Sequence, residues 1–299
     1  MKIGYPCINR TISCQGNKTF RLKSYSEKRF IGTVSNNLDC LHKILAYNLD
    51  HQILFFRISS DIIPFASHPV LTVDWKKYFK DELEEIGSFI NNNNIRISMH
   101  PDQFIVLNAK RKDVVQRSVK ELKYHAAFLD ALGLDSSAKI QLHIGGVYGD
   151  KNESMNRFVK HFDLLSSSIK KRLVIENDDR SYKAYDCLQI SNHIHIPVLF
   201  DVFHHKLNNN HESVQNMMIE IAETWKHFDG IPMIDYSSQG INEKRGKHTI
   251  HIDQNDFSMF LNNIESLDVD IMLEIKDKEQ SALEAISIVK KHPLVNLAS

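Results

Sequence analysis

Leu173-Val174-Ile175-Glu176-Asn177-Asp178 and, further on, Pro197-Val198-Leu199-Phe200-Asp201-Val202-Phe203 are the runs whose reading decides the fold. Each is near-continuously apolar rather than alternating, as a strand must be when both of its faces are covered. Each also carries an acid where its first apolar stretch ends, Glu176 or Asp201. Working outward, similar runs occur at Lys2–Tyr5, Ile53–Ser59, Ile95–His100, Lys139–Ile144, Pro232–Tyr236 and Asp270–Ile275, which makes eight. Segments of helical period lie between them, with apolar stripes at Leu38, Leu41, Leu45, Leu49 and at Val115, Val119, Leu122, Ala126, Leu129. The tract Asn91-Asn92-Asn93-Asn94 reads as a helix-to-strand turn. Eight strands alternating with helices predict an α/β chain, a single (β/α)₈ TIM barrel over residues 1–299. A doubly wound open sheet would normally carry a glycine-rich first turn, and Gly145-Gly146 after the fourth run lacks that pattern.

Composition bounds the function classes. Of 299 residues, 42% are hydrophobic and 25% charged, and 37 basic side chains balance 37 acidic ones. These values describe a folded chain rather than a disordered one. No run approaches the roughly 18 apolar residues needed to span a bilayer. The opening Met1-Lys2-Ile3-Gly4-Tyr5-Pro6 has no apolar signal region, so a cytoplasmic protein is expected. Cys7, Cys14, Cys40 and Cys187 contain no C-x-x-C pair, and neither a zinc ribbon nor a disulfide framework is expected from them. The first thirty residues nevertheless hold seven Lys/Arg against one acid, Glu27, so a local basic patch on a neutral chain is compatible with the composition.

The chemistry lies at the strand ends. His100 ends the third run, His143 the fourth, Glu176 the fifth, Asp201 the sixth, Asp235 the seventh and Glu274 the eighth. His68, His204 and His248 follow in the loops just beyond. In a barrel these ends share one face, where active sites are built. Singly, His143 between Leu142 and Ile144 reads as a core histidine, His68 before Pro69 as a turn residue, and Asp201 with His204 as a local pair. Glu176 and Glu274 are harder to set aside, because a buried carboxylate needs a partner charge or a metal. Together the nine demand cations, and divalent metal is the natural one. Imidazole and carboxylate without thiolate suit Mn²⁺ or Zn²⁺, with Mg²⁺ also compatible. Nine ligands exceed one ion's needs, so two or three ions are expected. Clustered ions favour phosphodiester hydrolysis first and sugar isomerisation second.

At these positions the chain resembles the UV damage endonuclease family, relatives of endonuclease IV. The resemblance rests on Gly4-Tyr5-Pro6-Cys7-Ile8-Asn9, Phe56-Arg57-Ile58-Ser59-Ser60, Ala66-Ser67-His68-Pro69 and Ser98-Met99-His100-Pro101-Asp102-Gln103-Phe104. It continues through Val174-Ile175-Glu176-Asn177-Asp178, Phe200-Asp201-Val202-Phe203-His204-His205 and Asp235-Tyr236-Ser237-Ser238-Gln239. It implies nicking of duplex DNA immediately 5′ to ultraviolet photolesions with a manganese-type cluster. It assigns metal binding to His68, His100, His143, Glu176, Asp201, His204, His248 and Glu274, with Glu176, Glu274, Asp201 and His204 as catalytic groups. It further implies that Gln103 and Phe104 wedge into the duplex and that Tyr5 and Asn9 line the same pocket. Relatives often have Tyr at Phe104, so the stacking surface is kept and the hydroxyl lost.

The seventh strand departs from the family. Many relatives carry Lys-x-His there, with the lysine modified near the metals, whereas this chain has Met233-Ile234-Asp235. Asp235 is expected to take the imidazole's place as a hard oxygen ligand, and Met233 to serve as apolar packing. Phosphate contacts are expected from Arg10, Lys18, Arg21, Lys23, Lys110, Arg111, Arg180, Lys183, Lys244, Arg245 and Lys247, and from Lys276, which also suits pairing with Glu274. Asp81, Glu82, Glu84 and Glu85 fall on an outer helix. Photolesion-bearing duplex DNA is thus the expected partner, and a monomer the expected state. An abasic-site endonuclease, a sugar isomerase and a non-catalytic lesion-binding protein are the competing readings. A sugar enzyme needs neither Gln103-Phe104 nor a basic mouth, and a mere binder does not need the carboxylates.

Overall fold

A computed structural model describes residues 1–265, 267–293, 295 and 297. The expected runs become β1 (Ile3–Pro6), β2 (Phe55–Ile58), β3 (Arg96–Met99), β4 (Lys139–His143), β5 (Leu173–Glu176), β6 (Val198–Asp201), β7 (Met233–Tyr236) and β8 (Asp270–Leu273). All neighbours pair in parallel, β8 returns to β1, and the sheet closes as a barrel in sequence order. Outer helices follow the strands, among them Glu27–Asp50, Lys80–Asn92, Lys112–Ala131 and Glu279–Lys291. The asparagine tract ends the second of these, with Asn94 in the left-handed region that helix-to-strand turns use. β1 approaches β2 so closely that a Cβ on Gly4 would lie 2.1 Å from the Phe55 carbonyl oxygen, which reserves the position for glycine. Among the described residues no helix is long and apolar enough to cross a membrane.

The barrel interior explains how the strand ends come to face one another. Phe55, Val174, Leu199, Met233 and Met272 form an apolar layer, closed by Trp225, separate from the main core beneath the helices. Alternation along a strand returns the same face two residues later. Two residues beyond each of those five stand Arg57, Glu176, Asp201, Asp235 and Glu274, which therefore form the next layer toward the carboxyl ends. Met233 packs as expected, fully buried in the apolar layer. Ion pairs close the other end of the barrel, Arg96 with Asp270 at 3.3 Å and Lys139 with Asp229 at 2.5 Å.

One expectation is corrected. Cys14 and Cys40 form a disulfide, Cα to Cα 5.8 Å, that ties the loop after β1 to the helix Glu27–Asp50. Linear spacing concealed this pairing, because the loop folds back over the helix that follows it. Cys7 and Cys187 are free.

Candidate metal centre and DNA-facing cleft

Glu176 collects two imidazoles on a single oxygen. His143 Nε2 is 2.8 Å and His100 Nε2 3.3 Å from Oε1, with the two rings 5.2 Å apart. One ligand atom from each of the three lies within 4.8 Å of the other two, and Asp201, Asp235 and Glu274 form a second such group. Between the groups stands His204, whose Nδ1 is 3.0 Å from Asp201 Oδ2. Asp201 is placed by local structure: it caps the helix Val202–Leu207 by accepting from the His204 N–H, and Asn177 brackets its backbone. The His204 ring is 6.2 Å from His143 and 6.1 Å from His248. His248 Nδ1 donates to the Glu274 carbonyl at 2.7 Å, which leaves Nε2 as the lone-pair nitrogen, 3.9 Å from Glu274 Oε2.

Two side chains missed by the sequence reading complete this floor. Arg57 donates through Nη2 to both oxygens of Asp235 at 2.7 Å and through Nη1 to Glu274. Gln141 donates through Nε2 to Asp235 at 2.5 Å and also to Glu176. Both were open to discovery: Arg57 sits in the Phe56–Ser60 run, and Gln141 shares a strand face with His143. The expected ligand Asp235 thus has both oxygens engaged, although its position groups with Asp201 and Glu274.

Electrostatics divides the four carboxylates. Burial pushes each of them up, but His143 and His100 hold Glu176 well below the usual range, and Arg57 holds Glu274 down to about 2. Asp201 is pushed up to about 7 by burial, with His204 opposing. Burial also raises Asp235, against the pull of Arg57, because Glu274, Glu176 and Asp201 crowd it. Burial alone would lower His143, yet Glu176 raises it to about 9. The donor set fits divalent metal. Three carboxylates and four histidines besides Asp235 converge without a thiolate, and buried Nδ1 atoms of His100 and His143 have no hydrogen-bond partner.

Above this floor opens a cleft of about 700 Å³, lined by Arg57, His100, His143, His248 and Glu274 below and by Gln103, Phe104, Lys247, Lys276 and Lys278 at the sides. Phe104 is 74% exposed, a large aromatic ring held at the rim. A second cleft of similar size, around Phe203, Ile241 and Ile250, contains none of the nine expected ligands.

Three expected site residues lie elsewhere. Tyr5 and Asn9 do not line the cleft: Tyr5 is fully buried, donates to Asn48 at 2.6 Å and accepts from Asn9 at 2.8 Å. The alternation of β1 turns Tyr5 outward, against Phe56 and the helix Glu27–Asp50, and Asn9 folds with it. His68 is in an exposed turn, its Nδ1 accepting from the Val70 N–H, and no contact among the described residues joins it to the other eight. Several expected phosphate contacts are already engaged, Arg111 by Asp113, Arg180 by Asp179 and Arg245 by the Leu207 carbonyl.

A closed (β/α)₈ barrel with an imidazole–carboxylate cluster at the carboxyl ends of its strands defines the class, a barrel whose mouth groups residues that could hold a metal ion. The chain belongs to the UV-endonuclease UvdE family, whose model matches residues 1–297. It is 45% identical over 293 residues to a UV DNA damage endonuclease of Clostridium perfringens, covering 97% of this chain and 71% of that protein. The crystal structure of SacUVDE superposes with a TM-score of 0.95 at 48% identity, covering 99% of this chain and all of the other. Endonuclease IV from Thermus thermophilus, at 13% identity and TM-score 0.57 over 81% of this chain and 90% of that one, shares the fold.

Proposed function

We propose that this chain is a metal-dependent endonuclease that cuts duplex DNA at the phosphodiester immediately 5′ to ultraviolet photolesions. The observation that carries the reading is the stacking of two features in one cleft. A ligand cluster forms the floor, and an exposed aromatic, Phe104, stands beside Gln103 at the rim. His100, His143, Glu176, Asp201, His204, His248 and Glu274 are the residues that would hold two or three ions, with Mn²⁺ best suited to the mixed donors. Bound there, such ions would supply a nucleophile near neutral pH and positive charge for the phosphoryl oxygens.

The protein's own groups do the rest. Glu176 and Glu274 stay ionised and carry the negative charge that retains the ions. Asp201 accepts from the backbone N–H of His204 and lies 3.0 Å from its Nδ1, which the Asn177 carbonyl also faces, and this fixes the imidazole's orientation. Phe104 and Gln103 enter the stack where a photolesion has already weakened it, turning the lower unstacking cost into selectivity. Lys247 and Lys276 meet the phosphates. A sugar isomerase would have no use for an exposed rim aromatic, which favours the nucleic-acid reading. Plasmid relaxation tests it. Irradiated DNA should be nicked in Mn²⁺ and not in chelator, and untreated DNA should be spared. Equal relaxation of both plasmids would contradict it.

A further inference from the structure

Lys278 stands where the local rules of the chain are broken. It is the N-cap of the helix Glu279–Lys291, yet it supplies no capping hydrogen bond and holds φ 61°, ψ −115°. Ser, Thr, Asp or Asn in an extended conformation is preferred there, and only glycine adopts this backbone without strain. The strain is locked from both sides. The Lys278 N–H donates back to the Ile275 carbonyl at 3.3 Å. The buried Glu279 then accepts from the Arg10 N–H at 2.9 Å and from the Thr11 hydroxyl at 2.8 Å. Cys7 across the cleft floor is also left-handed, at φ 72°, its N–H held by the Arg57 carbonyl at 2.8 Å.

This locked turn presents the Lys278 side chain to the cleft over Arg57 and Glu274. Its half-buried ammonium has no hydrogen-bond or ion-pair partner among the described residues, whereas the buried cations Arg57, Arg96, Lys139 and Arg172 are each paired. Backbone strain held in place by its surroundings clusters at functional positions. We infer that Lys278 is a DNA-contact residue whose ammonium binds a backbone phosphate directly above the metal centre. The inference rests on the endonuclease reading. Burial pushes the ammonium's pKa down, with Cys7 and Glu274 opposing and Arg57 and Arg10 adding to the push, so an incoming phosphate meets a cation with little competing solvent. Lys276, two residues earlier, lines the same cleft from ordinary backbone.

The test uses the Mn²⁺-loaded full chain on irradiated duplex and compares Lys278→Met with Lys278→Gly. In both variants the slope of log affinity against log salt should fall by about one phosphate contact, about 0.9 in the exponent. Single-turnover nicking should fall about a hundredfold at unchanged metal content. Lys278→Gly should in addition melt at a higher temperature than the parent, because glycine relieves the strain. If either folded variant keeps the parental salt slope and nicking rate, Lys278 is not a phosphate contact. Failure of the parent itself to nick irradiated duplex would overturn the endonuclease reading, whereas parental nicking with unaffected variants would overturn this inference alone.

Discussion

Glu176 and Glu274 differ from Asp201 and Asp235 in what faces them, and that difference assigns their work. Two imidazoles lie on Glu176 and a guanidinium on Glu274, so both stay charged in the metal-free protein and are ready for cations. Glu176→Gln or Glu274→Gln should therefore lower nicking about a hundredfold or more and reduce bound metal while the melting transition survives. Near-parental turnover in either variant, with metal content confirmed, would remove it from the centre. Asp235 is tied to Arg57 through both oxygens, in a fully buried pair. Breaking such a pair costs about 3–5 kcal/mol, since a buried charge is left alone. Asp235→Asn is thus expected to lower the melting temperature markedly with ion stoichiometry unchanged. A lost ion measured by elemental analysis would instead make it a ligand. Met233→Leu should cost less than about 1.5 kcal/mol and leave activity alone, because it replaces packing with packing of similar volume.

Among the elements, the loop after β3 is the one on which the proposed recognition rests. Pro101 is buried, and the three residues after it rise to the rim, leaving Phe104 open to solvent. Gln103→Ala combined with Phe104→Ala should abolish the preference for irradiated over intact duplex in competition binding while metal content stays constant. Undiminished discrimination would show that the wedge is elsewhere. The strands were legible in the sequence because burial on both faces writes continuous apolar runs, and their end residues are the imidazoles and carboxylates that gather at the barrel mouth. Other features were hidden for physical reasons. The pairing of Arg57 and Gln141 with the carboxylates became visible only once the barrel closed, since their partners are on strands far away in sequence. Tyr5 belonged to a recognisable motif, but the motif did not show which way β1 turns its side chains. The disulfide depended on a loop path that spacing does not encode, and Lys278 on a backbone angle.

Across the whole molecule, the barrel concentrates like charge at one end and must neutralise it. Without metal this makes stability depend on pH in a definite direction. Asp201, pushed up to about 7, binds a proton in the folded state that the unfolded chain has already lost. His143, raised to about 9, and His204, also raised, keep protons that unfolded histidine releases near 6.5. All three shifts favour folding at low pH, and that contribution is lost as pH rises through the folded values. The chelated protein should therefore melt at progressively lower temperature between about pH 6.5 and 8, and the Mn²⁺-loaded protein should show a flatter profile. A chelated protein that gains stability across that window would contradict the proposed crowding of charge.

The most direct measurement places one defined photolesion in an end-labelled duplex and maps the cut to the nucleotide. With Mn²⁺ the account predicts a single nick at the phosphodiester immediately 5′ to the lesion, lost in chelator and restored by returning the ion. A cut that ignores the lesion, or one that persists without metal, would contradict it.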